Sequence, residues 1–361
     1  MQNQTSLHQQ LHTDIVYLSI RSVQKFLIPV ICVLGSTGNI LAILTFLGRT
    51  LRDKSCCIYL ATKCVSDTLF LLSLFLVWLA RVDMPVFHLH GFCQIIIFVT
   101  YICGFLSVWI VVLITLENYI RISHPARVSQ LCSAEKAKYV ILVLVTVSIF
   151  VYHFPLWTTG IISGNGTEGS CSSIEKYTDI NQGLTYADTI LTLVLPSVLI
   201  VVLMIAILCS VYEAYKRQER KSPHGRITKM LFAVSTVFIF FHTPSHAIRL
   251  RLLILQFLNE DINPVEELKL QRIFELIYYS NFSTNCIIYV AFGKTFRDIF
   301  RHIFCKSKLC CFYQSKTSPE HPRYGSLFPP ESTYEKETET ICLQSVDELC
   351  DKRIAVVIPV S

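Results

Sequence analysis

The sequence predicts an all-α membrane protein, a seven-transmembrane helix bundle closed by a juxtamembrane amphipathic helix. Three observations carry the prediction. Hydrophobic residues make up 52% of the 361 positions and charged residues only 16%. Apolar stretches recur seven times, each close to the roughly 20 residues a helix needs to cross a bilayer core of about 30 Å. Lys and Arg are divided unequally between alternate connecting loops. Helices are the expected solution because lipid offers no partners to an open backbone. No strand-length alternation of the kind that builds a transmembrane barrel is visible.

The first span has no Asp, Glu, Lys or Arg between Lys25 and Arg49. The second, roughly Cys57–Ala80, is apolar except for Lys63 and Asp67. The third lies between Arg81 and Glu117, the fourth between Tyr139 and Glu168, and the fifth between Asp188 and Glu213. The sixth lies between Lys229 and Arg249, the seventh between Glu275 and Lys294. A basic amphipathic segment near Lys294–Phe304 reads as the juxtamembrane helix. These assignments divide the chain into an extracellular N-terminal tail (1–23), a membrane domain with its juxtamembrane helix (24–306) and a cytoplasmic tail (307–361). The cytoplasmic tail is rich in Pro, Ser, Thr and Glu and is expected to be disordered, since it cannot bury enough apolar surface to fold.

Eighteen Lys and Arg fall in one set of loops, from Arg49 to Lys308, against six in the other. The richer set is expected in the cytoplasm, which places the N-terminus outside. The net charge of +6 is thus topological, and a nucleic-acid partner is not indicated. The first 25 residues lack the apolar core of a cleavable signal peptide, so the first span is expected to act as the targeting signal. Asn3 and Asn165 begin outward-facing glycosylation sequons. Asn281 begins another, but inside the seventh span. Of fifteen cysteines, this topology leaves Cys93 and Cys171 in the oxidising compartment, where disulfides persist. Cys305, Cys310 and Cys311 follow the amphipathic segment, a setting for palmitoylation; free thiols are the alternative. Ser332, Thr333, Thr338 and Thr340, among glutamates, are candidate phosphorylation sites.

The run Glu117-Asn118-Tyr119 ahead of His124-Pro125 resembles the acid–Arg–Tyr signature of rhodopsin-like (class A) G-protein-coupled receptors. Further motifs match in order and spacing: Gly38-Asn39, Leu60-Ala61, Asp67, Cys93, Pro155, Pro196, Phe238, Pro244, Asn281, Asn285, Tyr289 and Phe296-Arg297. The resemblance covers about Gln24–Phe304. It implies a multi-pass receptor of the plasma membrane, with Glu117, Asn118, Tyr119, His242, Pro244, Asn285 and Tyr289 at the positions that switch on activation. It also implies an allosteric sodium ion near Asp67, Ser107, Asn281 and Asn285, with Asn39 close by; a structural hydrogen-bond network is the alternative. No other cofactor is expected.

The departures fall on mechanism. Asn118 stands for the signature arginine, His242 for the sixth-span tryptophan with Phe241 before it, Cys286 for the seventh-span proline, and Met204 for a fifth-span tyrosine. Arg121, about one turn nearer the cytosol, is a candidate replacement for the arginine. Lys63 is another, through Glu117, unless it snorkels to the interface.

Thr100 occupies the position where amine receptors carry an aspartate, and no lysine for retinal lies between Glu275 and Lys294. The segment His242–Leu250 resembles peptide receptors, particularly invertebrate neuropeptide receptors of the FMRFamide and myosuppressin type. This implies a pocket lined by Thr100, Tyr101, His246, Arg249, Gln271, Glu275 and Tyr279. Arg249 would take a peptide carboxylate or carbonyl and Glu275 a basic group; the alternative is that the two pair with each other. The expected function is a neuropeptide receptor acting on heterotrimeric G proteins, with arrestin and receptor kinases on its tail and lipid around its helices. The alternative is an atypical receptor, scavenging or arrestin-biased, without G-protein coupling. A transporter or channel fits less well, since repeated halves are absent. No nucleophile–base pair or metal-ligand cluster suggests an enzyme.

Overall fold

The computed structural model describes residues 13–82, 84, 91–162, 170–216, 225–257 and 264–304. Asn3, Asn165, Cys305, Cys310, Cys311 and the 307–361 tail lie outside them.

Helix α1 spans Ile15–Phe46 and begins ahead of Gln24, where the membrane domain was expected to start. Its cap explains the extension: the Asp14 carboxylate accepts from the Tyr17 N–H, 2.9 Å, satisfying a donor the helix cannot pair internally. Next come α2 (Ser55–Arg81), α3 (Phe92–Ser123) and α4 (Ala134–Val151, capped by Ser133). Beyond α4, strands β1 (Thr159–Ile162) and β2 (Ser170–Ser173) form an antiparallel hairpin with Ile161 opposite Cys171. The fifth span comprises α5 (Thr178–Thr189), one π-helical turn at Ile190–Val194, and α6 (Leu195–Lys216). The fifth span therefore begins as helix at Thr178, ahead of Asp188, which bounds its apolar run. The sixth span is α7 (Gly225–Phe257), with Pro244 inside. The seventh is α8 (Pro264–Ser283) plus α9 (Asn285–Phe292), and α10 (Lys294–Phe304) is the juxtamembrane helix.

Two irregularities have local causes. In the π turn the Leu195 N–H bonds to the Ile190 carbonyl, and Pro196 has no N–H to offer. The Leu191 carbonyl is left over, and the Trp109 indole N–H takes it at 3.1 Å. The break between α8 and α9 occurs without proline, since Cys286 stands in its place. Ser283 Oγ donates to the Ser280 carbonyl, Thr284 Oγ1 to that of Asn281, and Asn39 Nδ2 to that of Phe282. Side chains compete there for carbonyls that the helix ladder would otherwise use.

Among the described residues, five helical segments are long and apolar enough to cross a membrane by length and composition. The sixth and seventh spans are more polar, carrying buried His242, Glu275, Asn281 and Asn285. Apolar side chains point outward along the bundle, among them Val33, Phe150, Phe240 and Ile287, a surface suited to hydrocarbon. Inside, Phe46, Tyr289 and Phe296 pack with Leu60, Ile110, Ile114 and Leu231 at one end; Phe70 stacks on Phe282 at 4.0 Å in the other half. Gly35 lets α1 approach closely: a Cβ there would lie 2.6 Å from Leu71 Cδ1 and from Ser283 Cβ. In α10, Phe296, Phe300 and Phe304 stack along one face.

Candidate functional site

At the outer end of the bundle a cavity of about 510 Å³ opens between α2, α3, the fifth span and α8. Of the residues expected to line it, Thr100, Tyr101, Gln271 and Tyr279 do. The side chains of His246 and Arg249 lie outside the described residues. Glu275 is set back, buried behind Gln271 Nε2 at 3.2 Å and Arg272 Nη1 at 3.1 Å. Its basic partner among the described residues is thus its own helix neighbour Arg272.

The fifth span supplies a wall the sequence did not announce: Thr185, Tyr186, Asp188, Thr189 and Thr192. Asp188 Oδ1 accepts from Tyr152 OH at 2.8 Å. Tyr152 is fully buried and its ring stacks on Tyr101, 5.6 Å between centroids. An aromatic column thus fixes a carboxylate at the cavity wall. The signal was present as an acid at the edge of an apolar run, where it served only to bound the span.

The outer face is tied down at two points. Cys93 at the start of α3 bonds to Cys171 in β2, as expected, with Cα atoms 5.8 Å apart. Lys269 Nζ lies 2.6 Å from Asp14 and 2.9 Å from Glu266, joining α1 to α8. Lys269 holds the Asp14 carboxyl below its ordinary range, helped by the Tyr17 N–H. Asp14 in turn raises the Lys269 ammonium. Between α1, α2 and α8 lies a second cavity of about 540 Å³, with Arg21, Lys25, Arg272, Tyr17 and Trp78 in its lining.

Beneath the first cavity His242 stacks on Phe238 at 3.8 Å and meets Tyr278 edge-on at 5.0 Å. Asn281 Nδ2 faces His242 Nε2 at 3.0 Å, so Asn281 turns toward α7. Deeper still, Asp67 is fully buried; its Oδ2 accepts from Asn285 Nδ2 and from Lys63 Nζ, each at 2.5 Å. Lys63 Nζ also lies 3.2 Å from Ser107 Oγ. Asn285 continues to Asn39 Oδ1, 3.2 Å. Lys63 therefore neither joins Glu117 nor reaches the interface; it is 2% exposed. The four side chains expected to bind sodium do not fit that ion as they stand. An ammonium holds two of them, and Asn281 faces the histidine.

At the cytoplasmic end, Glu117 Oε1 accepts from Arg121 Nε at 3.0 Å, and Arg121 Nη2 also meets it. Ser55 Oγ lies 2.7 Å from the same oxygen, and Arg121 Nη2 is 3.3 Å from Ser55 Oγ. Thr115 and Ser235 hydroxyls, 2.7 Å apart, link α3 to α7. Asn118 is fully buried, and neither its amide oxygen nor its nitrogen has a hydrogen-bond partner among the described residues. Tyr119 meets His124 edge-on at 5.8 Å, and buried Tyr289 receives Cys64 Sγ on its hydroxyl, 3.8 Å. Ser55, Thr115 and Ser235 were not legible as partners, because short hydroxyl residues are common in apolar helices and carry no motif.

Seven spans, an outer cavity braced by a disulfide and a polar chain running inward define a seven-helix membrane receptor. Residues 38–289 match the family described as 7 transmembrane receptor (rhodopsin family), and the chain belongs to it. It is a rhodopsin-like, class A G-protein-coupled receptor, a multi-pass protein of the plasma membrane and not an enzyme. It is similar to somatostatin receptor type 2 of Mus musculus, 25% identical over 304 residues, covering 81% of this chain and 79% of that relative. The Sus scrofa receptor of the same name matches with the same figures.

Proposed function

We propose that the chain is a receptor for an extracellular peptide and passes agonist binding to heterotrimeric G proteins. The observation that carries the ligand class is the first cavity. It is wide, open outward, lined by hydroxyls and tyrosines from three spans, and has one anchored carboxylate, Asp188. Such a lining suits a chain of amides with a basic side chain, which Asp188 would pair through a charge-assisted hydrogen bond. The basic lining of the second cavity suits an acidic or carboxylate end of the same ligand. Among the relatives it resembles are two named as somatostatin receptors.

Coupling is supported by the Arg121–Glu117–Ser55 cluster. It supplies at the cytoplasmic end of α3 a cation–carboxylate lock that Asn118 cannot form. Activation would then be a population shift between two packings of the helices, biased by ligand. Thr115–Ser235 and Arg121–Glu117 would be contacts of the resting packing.

The unpartnered Asn118 favours a second reading, a receptor that engages arrestin without G protein. The deciding experiment is a peptide-library screen on cells expressing the full chain, reading G-protein dissociation and arrestin recruitment in parallel. Response in both supports the first reading, and arrestin alone supports the second. No response to any peptide, with the chain at the cell surface, would argue against a peptide ligand.

A further inference from the structure

We propose that Lys63 is a built-in counter-cation: its ammonium takes the place that sodium would occupy beside Asp67, so the core of this receptor does not respond to sodium. The geometry is specific. Nζ lies 2.5 Å from Asp67 Oδ2 and 3.2 Å from Ser107 Oγ, so it engages a carboxylate and a hydroxyl of the kind a hard cation seeks. Both partners are inside the bundle, Lys63 at 2% and Asp67 at 0% side-chain exposure. A second cation at Oδ2 would have to displace the ammonium. That would strand a lysine in the interior of a membrane protein, where an ionised side chain is costly unless paired.

The ammonium also has an advantage of connection. It belongs to the same helix as Asp67, one turn away, so its local concentration is fixed by the chain and not by the medium. The remaining neighbours fit this assignment. Asn285 Nδ2 donates to the same carboxylate oxygen and passes on to Asn39, while Asn281, which would help to complete an oxygen shell, faces His242. Asp67 Oδ1 has no hydrogen-bond partner among the described residues. One free carboxylate oxygen, its positive neighbour already in place, is a poor site for a further cation. The proposal is independent of which ligand the receptor takes and of whether it couples to G protein.

The test uses full-length receptor purified in detergent, without ligand. Its melting temperature is compared in about 150 mM sodium chloride, near physiological ionic strength, and in equimolar choline chloride. The expected result is the same value in both salts. Lys63→Met removes the ammonium at nearly constant volume and is expected to acquire a saturable upward shift specific to sodium. The double variant Lys63→Met/Asp67→Asn, which leaves no buried charge, is expected to fold and to lose that shift. A sodium-specific rise in the unmodified receptor that Asp67→Asn abolishes would overturn the proposal. So would a folded Lys63→Met receptor indifferent to sodium. If Lys63→Met cannot be recovered in either salt, the unmodified receptor and its Asp67→Asn variant still decide the matter.

Discussion

Arg121 folds back one turn along α3 onto Glu117, with Nε 3.0 Å from Oε1, and the residue between them in the signature, Asn118, takes no part. The acid of the signature thus keeps a cation although the arginine beside it is gone. Side chains four apart on a helix share a face, so the cation can move from the next residue to the next turn without disturbing the helix. The side chains are 9% and 5% exposed, which makes this an interior pair. Arg121→Ala would leave Glu117 buried with Ser55 alone, a loss of about 3 kcal/mol by the usual penalty for breaking such a pair. We expect a lower melting temperature and raised basal signalling. Arg121→Lys should restore much of the stability and less of the restraint, since lysine lacks the second planar donor that reaches Ser55.

Asn118 makes the opposite case. Both polar atoms of its amide are buried and unpartnered, and an unsatisfied buried group costs about 1–3 kcal/mol. Asn118→Leu, which keeps the branched skeleton of heavy atoms and removes both polar groups, should therefore stabilise the resting receptor where the slightly larger side chain is accommodated. If the amide finds its partner only when the cytoplasmic end opens, the same change should lower agonist-stimulated signalling. A thermal shift assay on the purified variant checks the first outcome, and a concentration–response curve the second. A fall in melting temperature would mean that the amide is satisfied in the resting packing.

How much of this was legible in the sequence follows from the physics of each feature. The spans were, because an uncharged apolar run of bilayer length has few other uses; the juxtamembrane helix was, because phenylalanines at 296, 300 and 304 fall on one face. Cys93 and Cys171 were, because topology left them together in one compartment. The polar partners were not. The sequence points Lys63 toward Glu117 or the interface, whereas its ammonium meets Asp67; both directions are open to a long side chain on the same helix, and only packing chooses. Asp188 carries no such signal, because an acid at the edge of a span looks the same whether it faces solvent, lipid or a cavity. For Glu275 the sequence offers a ligand or Arg249, and it gives no sign of Arg272, three residues earlier on α8, whose Nη1 lies 3.1 Å from the carboxylate.

The Cys93–Cys171 bridge ties the hairpin to the top of α3 and spans 78 residues of chain. Removing a native disulfide from a small secreted domain typically costs about 2–5 kcal/mol. Cys93→Ala and Cys171→Ala are each expected to reduce surface expression and thermal stability. The double variant should be no worse than either single one, because the second substitution removes nothing further. Additive losses would show that the two thiols contribute separately.

The Asp14–Lys269 contact joins the outer ends of α1 and α8 and sets a pH window. Asp14 titrates below its ordinary 3.8 because Lys269 and the Tyr17 N–H stabilise its charged form. Its contribution is present above that value and is lost as pH falls through the folded one. Lys269 titrates above its ordinary 10.5, so its contribution is present below that value and is lost only as pH rises past the folded one. Between these limits the contact is constant. Asp14→Asn should lower the melting temperature by the same small amount at pH 6 and pH 8, with the difference from the unmodified receptor shrinking in strong acid. A difference that changed between pH 6 and pH 8 would point to another titrating group.

Asp188 is expected to anchor the ligand. Its Oδ1 is held by Tyr152 at 2.8 Å, and Tyr152 is itself fixed by stacking on Tyr101, so the carboxylate is oriented before a ligand arrives. Preorganisation of this kind removes part of the ordering loss that binding otherwise carries. For a peptide with a basic side chain, Asp188→Asn would replace a charge-assisted contact by a neutral one. Hydrogen bonds to charged groups contribute about 1.5–3 kcal/mol, so potency should fall by roughly tenfold or more, a factor of ten being about 1.4 kcal/mol. Tyr152→Phe keeps the charge and loses only its orientation, so its effect should be smaller and of the same sign. The two losses should not add in the double variant, because Tyr152 acts through Asp188. Replacing the basic side chain of the peptide by a neutral one of similar length should produce the Asp188→Asn loss on the unmodified receptor and little further loss on that variant. A full additional loss on the variant would place the ligand's cation elsewhere.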